Sequence, residues 1–405
     1  MAISSTLDKT ANFVLIAVLI LMPVVSHAGG LGVAPLVFIL GLLGLVFHLK
    51  EKDKLSPPFW ALMIFLTWVC STAMWSPYKP DNILTNYIKL FIMGPVFFFT
   101  PLVFKHIAQK RLPMFQNLFL ATTCLSLLLV TTDIWAGFKI TLFFNPASTA
   151  DELVRRLSDV QPNLSHALTV LLLLSAPVTM LFKAHFKAWK LFAFLFFCLL
   201  FMSSYKHGLA ISMIGTICVM LTLFLALRFP EGVLKTVIIL GGLTLIFAPV
   251  ISYISTLFVD SNLHNIPGSW EHRIRMWAYC WPKILENPLI GSGFDAVRTF
   301  DEEYITRNGI LHTIVSLHPH NIGLHIWVET GLIGVVLASG VIFASFKTLK
   351  QTIKCKEKIV LLSGMLMAVI LISLVTYGAW QFWWWGSVFF SFGLIHIFAQ
   401  SEPLN

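Results

Sequence analysis

Long apolar runs, separated by short polar stretches, follow one another along the whole chain. A run of about 18 or more apolar residues predicts a membrane-spanning helix, because it can cover the hydrocarbon thickness of a bilayer. We predict twelve such spans, which begin near Asn12, Leu31, Pro58, Tyr87, Met114, Leu164, Leu191, Gly208, Thr236, Asn321, Val360 and Trp383.

Two polar intervals interrupt this pattern. Residues 137–163 precede the sixth predicted span, and residues 256–320 separate the ninth from the tenth. We therefore predict an all-α integral membrane protein. It forms a single polytopic membrane domain over residues 1–405, and the large loop 256–320 is inserted within it.

Composition supports this class. The chain is 57% hydrophobic and only 12% charged, whereas about a quarter of the residues of a soluble domain are charged. The net charge of +9 does not indicate nucleic-acid binding, because the lysines cluster in short loops between spans. The six cysteines have neither CxxC nor metal-ligand spacing, so we expect no disulfide framework.

The distribution of basic residues predicts the orientation. Most of the 28 lysines and arginines fall in one set of alternate loops, which by the positive-inside rule is cytoplasmic. Both termini are then cytoplasmic, both polar intervals face the exterior or periplasm, and the apolar run after Lys9 is an uncleaved first span. Tryptophans near predicted outer span ends fit an interfacial belt, and the dense cluster 377–385 could instead stack on a sugar or line a lipid entry.

The most informative motif is His318-Pro319-His320-Asn321, at the mouth of the tenth span. Histidine can exchange a proton near neutral pH, and ionisable groups at a membrane segment point to function. The two histidines alternate around the proline, so they need not share a face. Asn321 can cap the following helix, and Glu329, two turns deeper, is expected to be buried and paired.

The large loop carries a second group of polar residues. Its periodicity predicts a helix over 271–285, in which Arg273 and Trp277 share a face. Asn287-Pro288 ends that helix, and Gly291 and Gly293 predict a tight turn. Arginine presents a planar donor fork suited to phosphate, so Arg273 can hold a phosphate while Trp277 packs beside it. Arg273 and Arg275 as ordinary solvated charges are the alternative.

Two further segments are predicted on the same side. The short connection that holds Lys206 and His207 places a cation close to the membrane interface; Lys206 either binds phosphate or snorkels to the headgroups. Residues 151–160 have the spacing of a short amphipathic helix lying on the interface. Arg155 and Arg156 either help hold an anionic lipid or are charges of a plain surface helix, and the second interpretation is favoured.

Two stretches together resemble the O-antigen ligase family, within the broader superfamily of O-antigen ligases and polymerases. One is His320-Asn321 followed, after nine residues, by Gly331 and then Gly334. The other is Arg273, Trp277 and the run 287–293. The resemblance implies a Gram-negative inner-membrane glycosyltransferase. It would transfer a polysaccharide from undecaprenyl pyrophosphate to a sugar of the lipid A core.

Carried over to matching positions, the resemblance implies that His320 is the general base and that Arg273 binds pyrophosphate. Arg275 is a further candidate for that anion, and His318, Asn321, Glu329 and Trp277 are candidate supporting residues. The family has an arginine where this chain has Lys206. Lysine keeps the charge but loses the bidentate fork, so His207 is an alternative for part of that role.

The chemistry needs no cofactor and no metal. The His318-x-His320 pair lacks a third metal ligand, and nucleotide-binding and nucleic-acid motifs are missing from the sequence. Direct attack by a sugar hydroxyl would invert the anomeric centre. Alternatives are an O-antigen polymerase, a protein O-oligosaccharyltransferase and, from another class, a lipid or glycan transporter. The second is disfavoured because the chain ends at Asn405, close after its last span. The third is disfavoured because we find no internal repeat, no paired broken helices and few intramembrane acidic residues.

Overall fold

The computed structural model of the chain describes residues 2–27, 32–79, 83–107, 109–144, 146–259, 263, 266–305, 309, 311–315, 317–353 and 355–398. Helices dominate these ranges. They are α1 (Ala2–His27), α2 (Val33–Glu51), α3 (Pro57–Thr72), α4 (Ile83–Phe98), α5 (Thr100–Lys105), α6 (Leu112–Trp135), α7 (Lys139–Phe144), α8 (Ala150–His185), α9 (Trp189–His207), α10 (Ala210–Arg228), α11 (Pro230–Ile246), α12 (Ala248–Val259), α13 (Gly268–Glu286), α14 (Ile322–Thr352), α15 (Lys356–Val375) and α16 (Phe382–Gly393). The antiparallel hairpin joins β1 (Glu303–Ile305) to β2 (Leu311–Thr313).

Each predicted span coincides with a helix, although Leu31 itself lies outside the described residues. Within the described ranges, 7 helices are long and apolar enough to cross a bilayer, or up to 8 if the pair α11 and α12 forms one span. Helices α3 and α16 are apolar but shorter. The multi-pass helical class is therefore confirmed, whereas the count of twelve spans stays a prediction.

Helix α8 runs through the centre of the bundle, and 89% of its most apolar window is buried. The predicted interfacial helix 151–160 is not a separate element, because it forms the first turns of α8. Thr149 caps the start of the helix, because its Oγ1 accepts a 3.2 Å hydrogen bond from the Glu152 backbone N–H. Pro162 lies inside the helix without ending it, so the break expected between the two segments does not occur.

Two helices of the second half are interrupted. The axes of α11 and α12 meet at a 60° bend. Helix α14 is broken at Gly331, whose φ of 64° and ψ of −168° are not helical. Breaks of this kind at membrane depth are tolerated where other protein segments satisfy the freed backbone groups. The apolar pattern alone does not reveal either break, because both halves of each helix remain apolar.

The predicted large loop contains an ordered subdomain. The predicted helix 271–285 is confirmed as part of α13, which packs on α12 and α14 around a small apolar core that includes Met276, Cys280 and Leu324. The hairpin β1–β2 follows the short turn 296–299. These elements place one face of α13 directly against the N-terminal end of α14.

Several tryptophans predicted as interfacial are instead structural. Trp383 and Trp384 are buried, and the Trp68 indole donates a 3.0 Å hydrogen bond to the Thr330 carbonyl. Trp75 donates in the same way to the Gly291 carbonyl, also at 3.0 Å. An apolar run with many aromatic residues does not by itself distinguish a ring at the headgroups from one packed between helices.

Candidate active site

Residues 318–321 form a sharp turn, called here the histidine turn, that leads into α14. Asn321 Oδ1 accepts a 3.0 Å hydrogen bond from the Leu324 backbone N–H, which confirms the predicted cap. His320 has a left-handed φ of 50°, a conformation uncommon outside glycine. The turn brings the rings of His318 and His320 together edge to face, with their centroids 4.5 Å apart.

One hydrogen bond fixes the protonation of His320. Its Nδ1 lies 2.6 Å from the carbonyl oxygen of Thr376, and a carbonyl can only accept, so Nδ1 carries the proton. In a neutral imidazole, Nε2 then has a free lone pair. Burial lowers the pKa of His320 from 6.5 to about 4, although the bond to Thr376 acts in the opposite direction. His320 is therefore neutral at pH 7 and able to accept a proton at Nε2.

His318 is held as a second neutral imidazole. Its Nδ1 accepts a 3.2 Å hydrogen bond from the His320 backbone N–H, and the Gln381 amide nitrogen lies 3.0 Å from its Nε2. Burial, helped by the nearby imidazoles and by the positive charges of Arg298 and Arg273, lowers the pKa of His318 to about 2. This ring supports the turn and stays uncharged.

Arg273 reaches the same place from α13. Its Nε donates a 3.0 Å hydrogen bond to the Val375 carbonyl, and its Nη1 donates to the Ser269 carbonyl at 2.8 Å. Burial lowers the pKa of the guanidinium, which still titrates far above neutrality. Arg273 and His320 thus bind consecutive carbonyls, those of Val375 and Thr376, which places a fixed positive charge close to the imidazole.

The aromatic neighbour of Arg273 differs from the prediction. The guanidinium lies 5.8 Å from the ring centroid of Trp270, whereas Trp277 is buried and donates a 2.9 Å hydrogen bond to the Pro319 carbonyl. Helical side chains point toward the helix N-terminus, so Arg273 leans toward Trp270, three residues before it. Trp277 instead fastens α13 to the histidine turn.

Below the turn, Glu329 forms a buried polar network. This carboxylate is fully buried in α14, as predicted, and accepts a 2.6 Å hydrogen bond from the Trp380 indole. His325 Nε2 lies 3.1 Å from its other oxygen, to which Val297 N–H also donates, at 3.3 Å. These partners compensate for the cost of burying a carboxylate.

The glycine-containing run 287–293 inserts into the break of α14. Its backbone supplies donors to the carbonyls before Gly331 and acceptors to the N–H groups after it. The bonds run from Ser292 N to Val328 O at 2.7 Å, Gly293 N to Glu329 O at 2.9 Å, Leu332 N to Pro288 O at 2.9 Å and Ile333 N to Leu289 O at 3.1 Å. The two sequence motifs therefore meet in space as one unit.

This close approach requires glycine. A methyl group on Gly331 would lie 2.4 Å from the backbone carbon of Leu289, and one on Gly291 would lie 2.4 Å from that of Glu329. Both glycines also have positive φ, and Gly293 has a φ of 103°. The tight turn predicted at Gly291 and Gly293 is confirmed, and its function is to hold the broken helix.

The other predicted anion-binding residues have different partners. Arg275 pairs with Glu271 through two contacts of 3.1 Å. Lys206 is exposed, and its Nζ lies 5.6 Å from the Trp135 ring centroid. Within the described part of the chain, Lys206 makes no hydrogen bond or ion pair with Arg273 or His320. Their proposed roles toward pyrophosphate stay predictions.

His207 is engaged by α8. Its Nε2 lies 3.0 Å from Ser165 Oγ and 2.9 Å from the Gln161 carbonyl oxygen. It thus fixes the end of α9 against the first half of α8. Arg155 and Arg156 lie on that same first half, where Arg156 pairs with Glu152.

Sequence reasoning missed several members of the site. Thr376, Trp380 and Gln381 lie between α15 and α16, and no local pattern relates them to the histidine motif. The position of His325 was detectable, because it stands four residues before Glu329 on the same helical face. Within the ranges that the structure describes, no group of three His, Cys, Asp or Glu side chains has the arrangement of a metal site.

Part of the candidate site lies in a stretch of the chain that resembles a known family. Residues 191–339 match the family model described as O-antigen ligase. The matched stretch runs from α9 into the second half of α14 and includes Lys206, Arg273, His320 and Gly331. No solved structure matches the chain.

Two rickettsial relatives, each named "Putative polysaccharide ligase", are similar over part of their length. The one from Rickettsia conorii is 26% identical over 167 residues, and the one from Rickettsia bellii is 29% identical over 168 residues. The match covers 40% of this chain and 40% of each relative. The resemblance expected from the two motifs is thereby confirmed: residues 191–339, which include Arg273 and His320, are similar to the O-antigen ligase family.

Proposed function

We propose that this protein is an O-antigen ligase, which transfers a polysaccharide from undecaprenyl pyrophosphate to a sugar hydroxyl of lipid A-core. The single observation that carries the proposal is the pairing of a neutral imidazole with a fixed guanidinium on consecutive carbonyls of one segment. Transfer from a lipid diphosphate needs both groups, because a proton must be removed while negative charge develops on the leaving group.

In this mechanism His320 Nε2 accepts the proton of the acceptor hydroxyl as its oxygen attacks the anomeric carbon. General-base catalysis of this kind contributes roughly 10²–10⁴-fold in rate. The bond between the anomeric carbon and the diphosphate oxygen breaks in the same step, so the configuration inverts. The proton on Nδ1 stays with the Thr376 carbonyl throughout.

Arg273 stabilises the departing diphosphate. A preorganised cation in a site screened from water favours the transition state, since it needs no reorganisation when the charge appears. The guanidinium has five N–H donors, and its contacts with Val375 and Ser269 orient it while other donors remain for oxygen atoms of the donor. Lys206 and Arg275 are proposed to extend this positive region.

The proposed setting is the inner membrane of a Gram-negative bacterium. Both termini would be cytoplasmic, and loop 256–320 of the single membrane domain would form the periplasmic side of the site. The partners would be the lipid-linked donor, the lipid A-core acceptor and the surrounding lipids. The proposed chemistry uses no cofactor.

An O-antigen polymerase is the second candidate, because the same two residues would serve a reaction in which a second lipid-linked glycan is the acceptor. The products distinguish them. Purified protein in vesicles is given radiolabelled undecaprenyl-pyrophosphate glycan together with lipid A-core. A labelled lipid A-core conjugate supports the ligase, and elongation of the labelled donor without conjugate indicates a polymerase. The absence of both products argues for a transporter.

A further inference from the structure

The segment between α15 and α16, residues 376–381, contacts both histidines of the histidine turn. It lies outside the residues matched by the family model and was predicted only as part of an aromatic cluster. Its residues bind His320, His318, His325 and Glu329 in turn. A connection that only joined two helices would not need such a set of partners.

The first contact is made by Thr376, whose carbonyl oxygen accepts a hydrogen bond from His320. Thr376 directly follows the last residue of α15, and its N–H donates a 3.0 Å hydrogen bond to the Ile372 carbonyl. Its own carbonyl, 2.6 Å from His320 Nδ1, therefore has a position set at one end by the helix. A neutral carbonyl occupies the place that a carboxylate takes in many His-containing catalytic sites.

The other end of the segment is fastened by His325 and Trp380. The Ala379 N–H donates a 2.9 Å hydrogen bond to His325 Nδ1, and the Trp380 indole donates to Glu329 at 2.6 Å. Both partners belong to the first half of α14, the half that also begins at the histidine turn. The segment is thus attached to the same helix as the base that it orients.

Gly378 fills the middle of the segment against the two supporting rings. A methyl group there would lie 2.8 Å from His318 Cγ and 3.0 Å from His325 Nδ1. The backbone therefore passes directly between these imidazoles, and a larger residue would displace one of them.

We propose that residues 376–381 are the positioning element of the transfer reaction, and that His325 and Trp380 are positioning residues that hold the Thr376 carbonyl against His320. The effect of this segment on the reaction rate rests on the proposed function. Its effect on structure, the choice of tautomer at His320, does not depend on any activity.

The experiment compares matched variants in lipid nanodiscs. Trp380→Phe keeps a ring but removes the donor to Glu329. His325→Leu removes the acceptor for Ala379, whereas His325→Asn retains an acceptor at the position of Nδ1. Trp60→Phe, at a residue that is 55% exposed on α3, is the control. ¹⁵N-histidine NMR, with His320 assigned by the spectrum of His320→Gln, reports which nitrogen carries the proton.

We expect wild type and Trp60→Phe to show His320 protonated at Nδ1. Trp380→Phe and His325→Leu should show a mixture of tautomers and about a tenfold lower kcat with little change in KM, and His325→Asn should recover most of both. An unchanged Nδ1–H signal in a folded His325→Leu protein would overturn the proposal, and so would equal effects of Leu and Asn. If wild type shows the tautomer but makes no conjugate, the proposed function fails, and of this inference the structural part, the choice of tautomer at His320, stands.

Discussion

His320 Nδ1 lies 2.6 Å from the carbonyl oxygen of Thr376, and this contact leaves Nε2 as the nitrogen that can accept a proton. No carboxylate occupies the position of Thr376, so no negative charge there raises the pKa of the imidazole. Burial dominates and lowers that pKa to about 4. The base is consequently unprotonated over the whole neutral range.

The first prediction concerns pH. A general base works only in its unprotonated form, so kcat/KM should remain constant from pH 7 down to about 5 and fall as pH drops through about 4. The pH at which kcat/KM falls to half of its neutral value, measured in vesicle assays with the same donor throughout, reports this pKa. A fall centred near 6.5, the ordinary value for histidine, would contradict the buried environment of His320.

Acid should also reduce stability. Because the folded-state pKa values of His318 and His320 lie below the ordinary 6.5, the unfolded chain binds more protons at acidic pH. The contribution of these two residues to stability is therefore complete above about pH 6.5 and is lost as pH falls toward the folded-state values. The thermal midpoint of the detergent-solubilised protein, followed between pH 7 and 5, measures this, with His318→Gln showing a shallower decline.

The next prediction concerns donor binding. Arg273→Ala should weaken binding of the lipid diphosphate by about 10- to 100-fold, since hydrogen bonds to charged groups contribute about 1.5–3 kcal/mol. Arg273→Lys should be intermediate, because it keeps the charge but not the fork. Acceptor KM should change little in both. Donor affinity that is unaltered in Arg273→Ala would remove this residue from the pyrophosphate site.

Gly331 provides a test of the broken helix. Gly331→Ala should destabilise the protein by at least about 2 kcal/mol, because its φ and ψ are almost confined to glycine and the methyl group would overlap Leu289. Gly340 lies in the same helix with open space at its Cβ position, so Gly340→Ala should be neutral or stabilising by up to about 1 kcal/mol. Thermal unfolding in detergent compares the two. Equal midpoints would mean that the insertion of 287–293 into α14 is wrong.

Glu329 tests the buried network. Glu329→Ala leaves the Trp380 indole and the Val297 N–H without their acceptor, and each buried unpaired group costs about 1–3 kcal/mol. Glu329→Gln retains an acceptor oxygen and should lose less. The expected order of thermal midpoints is therefore wild type, Gln, Ala. A Glu329→Ala protein as stable as Glu329→Gln would show that these bonds contribute little.

Local patterns were sufficient for much of this fold. The period of apolar residues located the helices, and the pattern over 271–285 located α13. Asn321 was identified as the cap of α14 from its residue type and position. The long-range partners were not predictable in this way, because the insertion of 287–293 at Gly331 and the contact of Thr376 with His320 depend on how distant helices pack. Pro162 shows that a local signal can also be overridden, because proline favours a helix break and yet Pro162 lies inside the uninterrupted α8.

The candidate site divides in the same manner. His320, Arg273 and Glu329 were selected from residue type and position, and the structure places them in one network around Val375, Thr376 and Trp380. Arg275 was selected for its charge, and Lys206 for its charge and its match to an arginine of the family. The structure gives both residues other immediate partners, Glu271 for Arg275 and Trp135 for Lys206. Charge in a loop predicts location near an interface better than it predicts a ligand contact.

The most direct test of the proposed enzyme is the rate of lipid A-core conjugate formation by His320→Ala in reconstituted vesicles. The control is His185→Ala, at the exposed C-terminal end of α8. We expect His320→Ala to insert and fold like wild type and to lose at least about 100-fold in rate, while His185→Ala retains the wild-type rate. Conjugate formed by folded His320→Ala at the wild-type rate would contradict the assignment of this imidazole as the base.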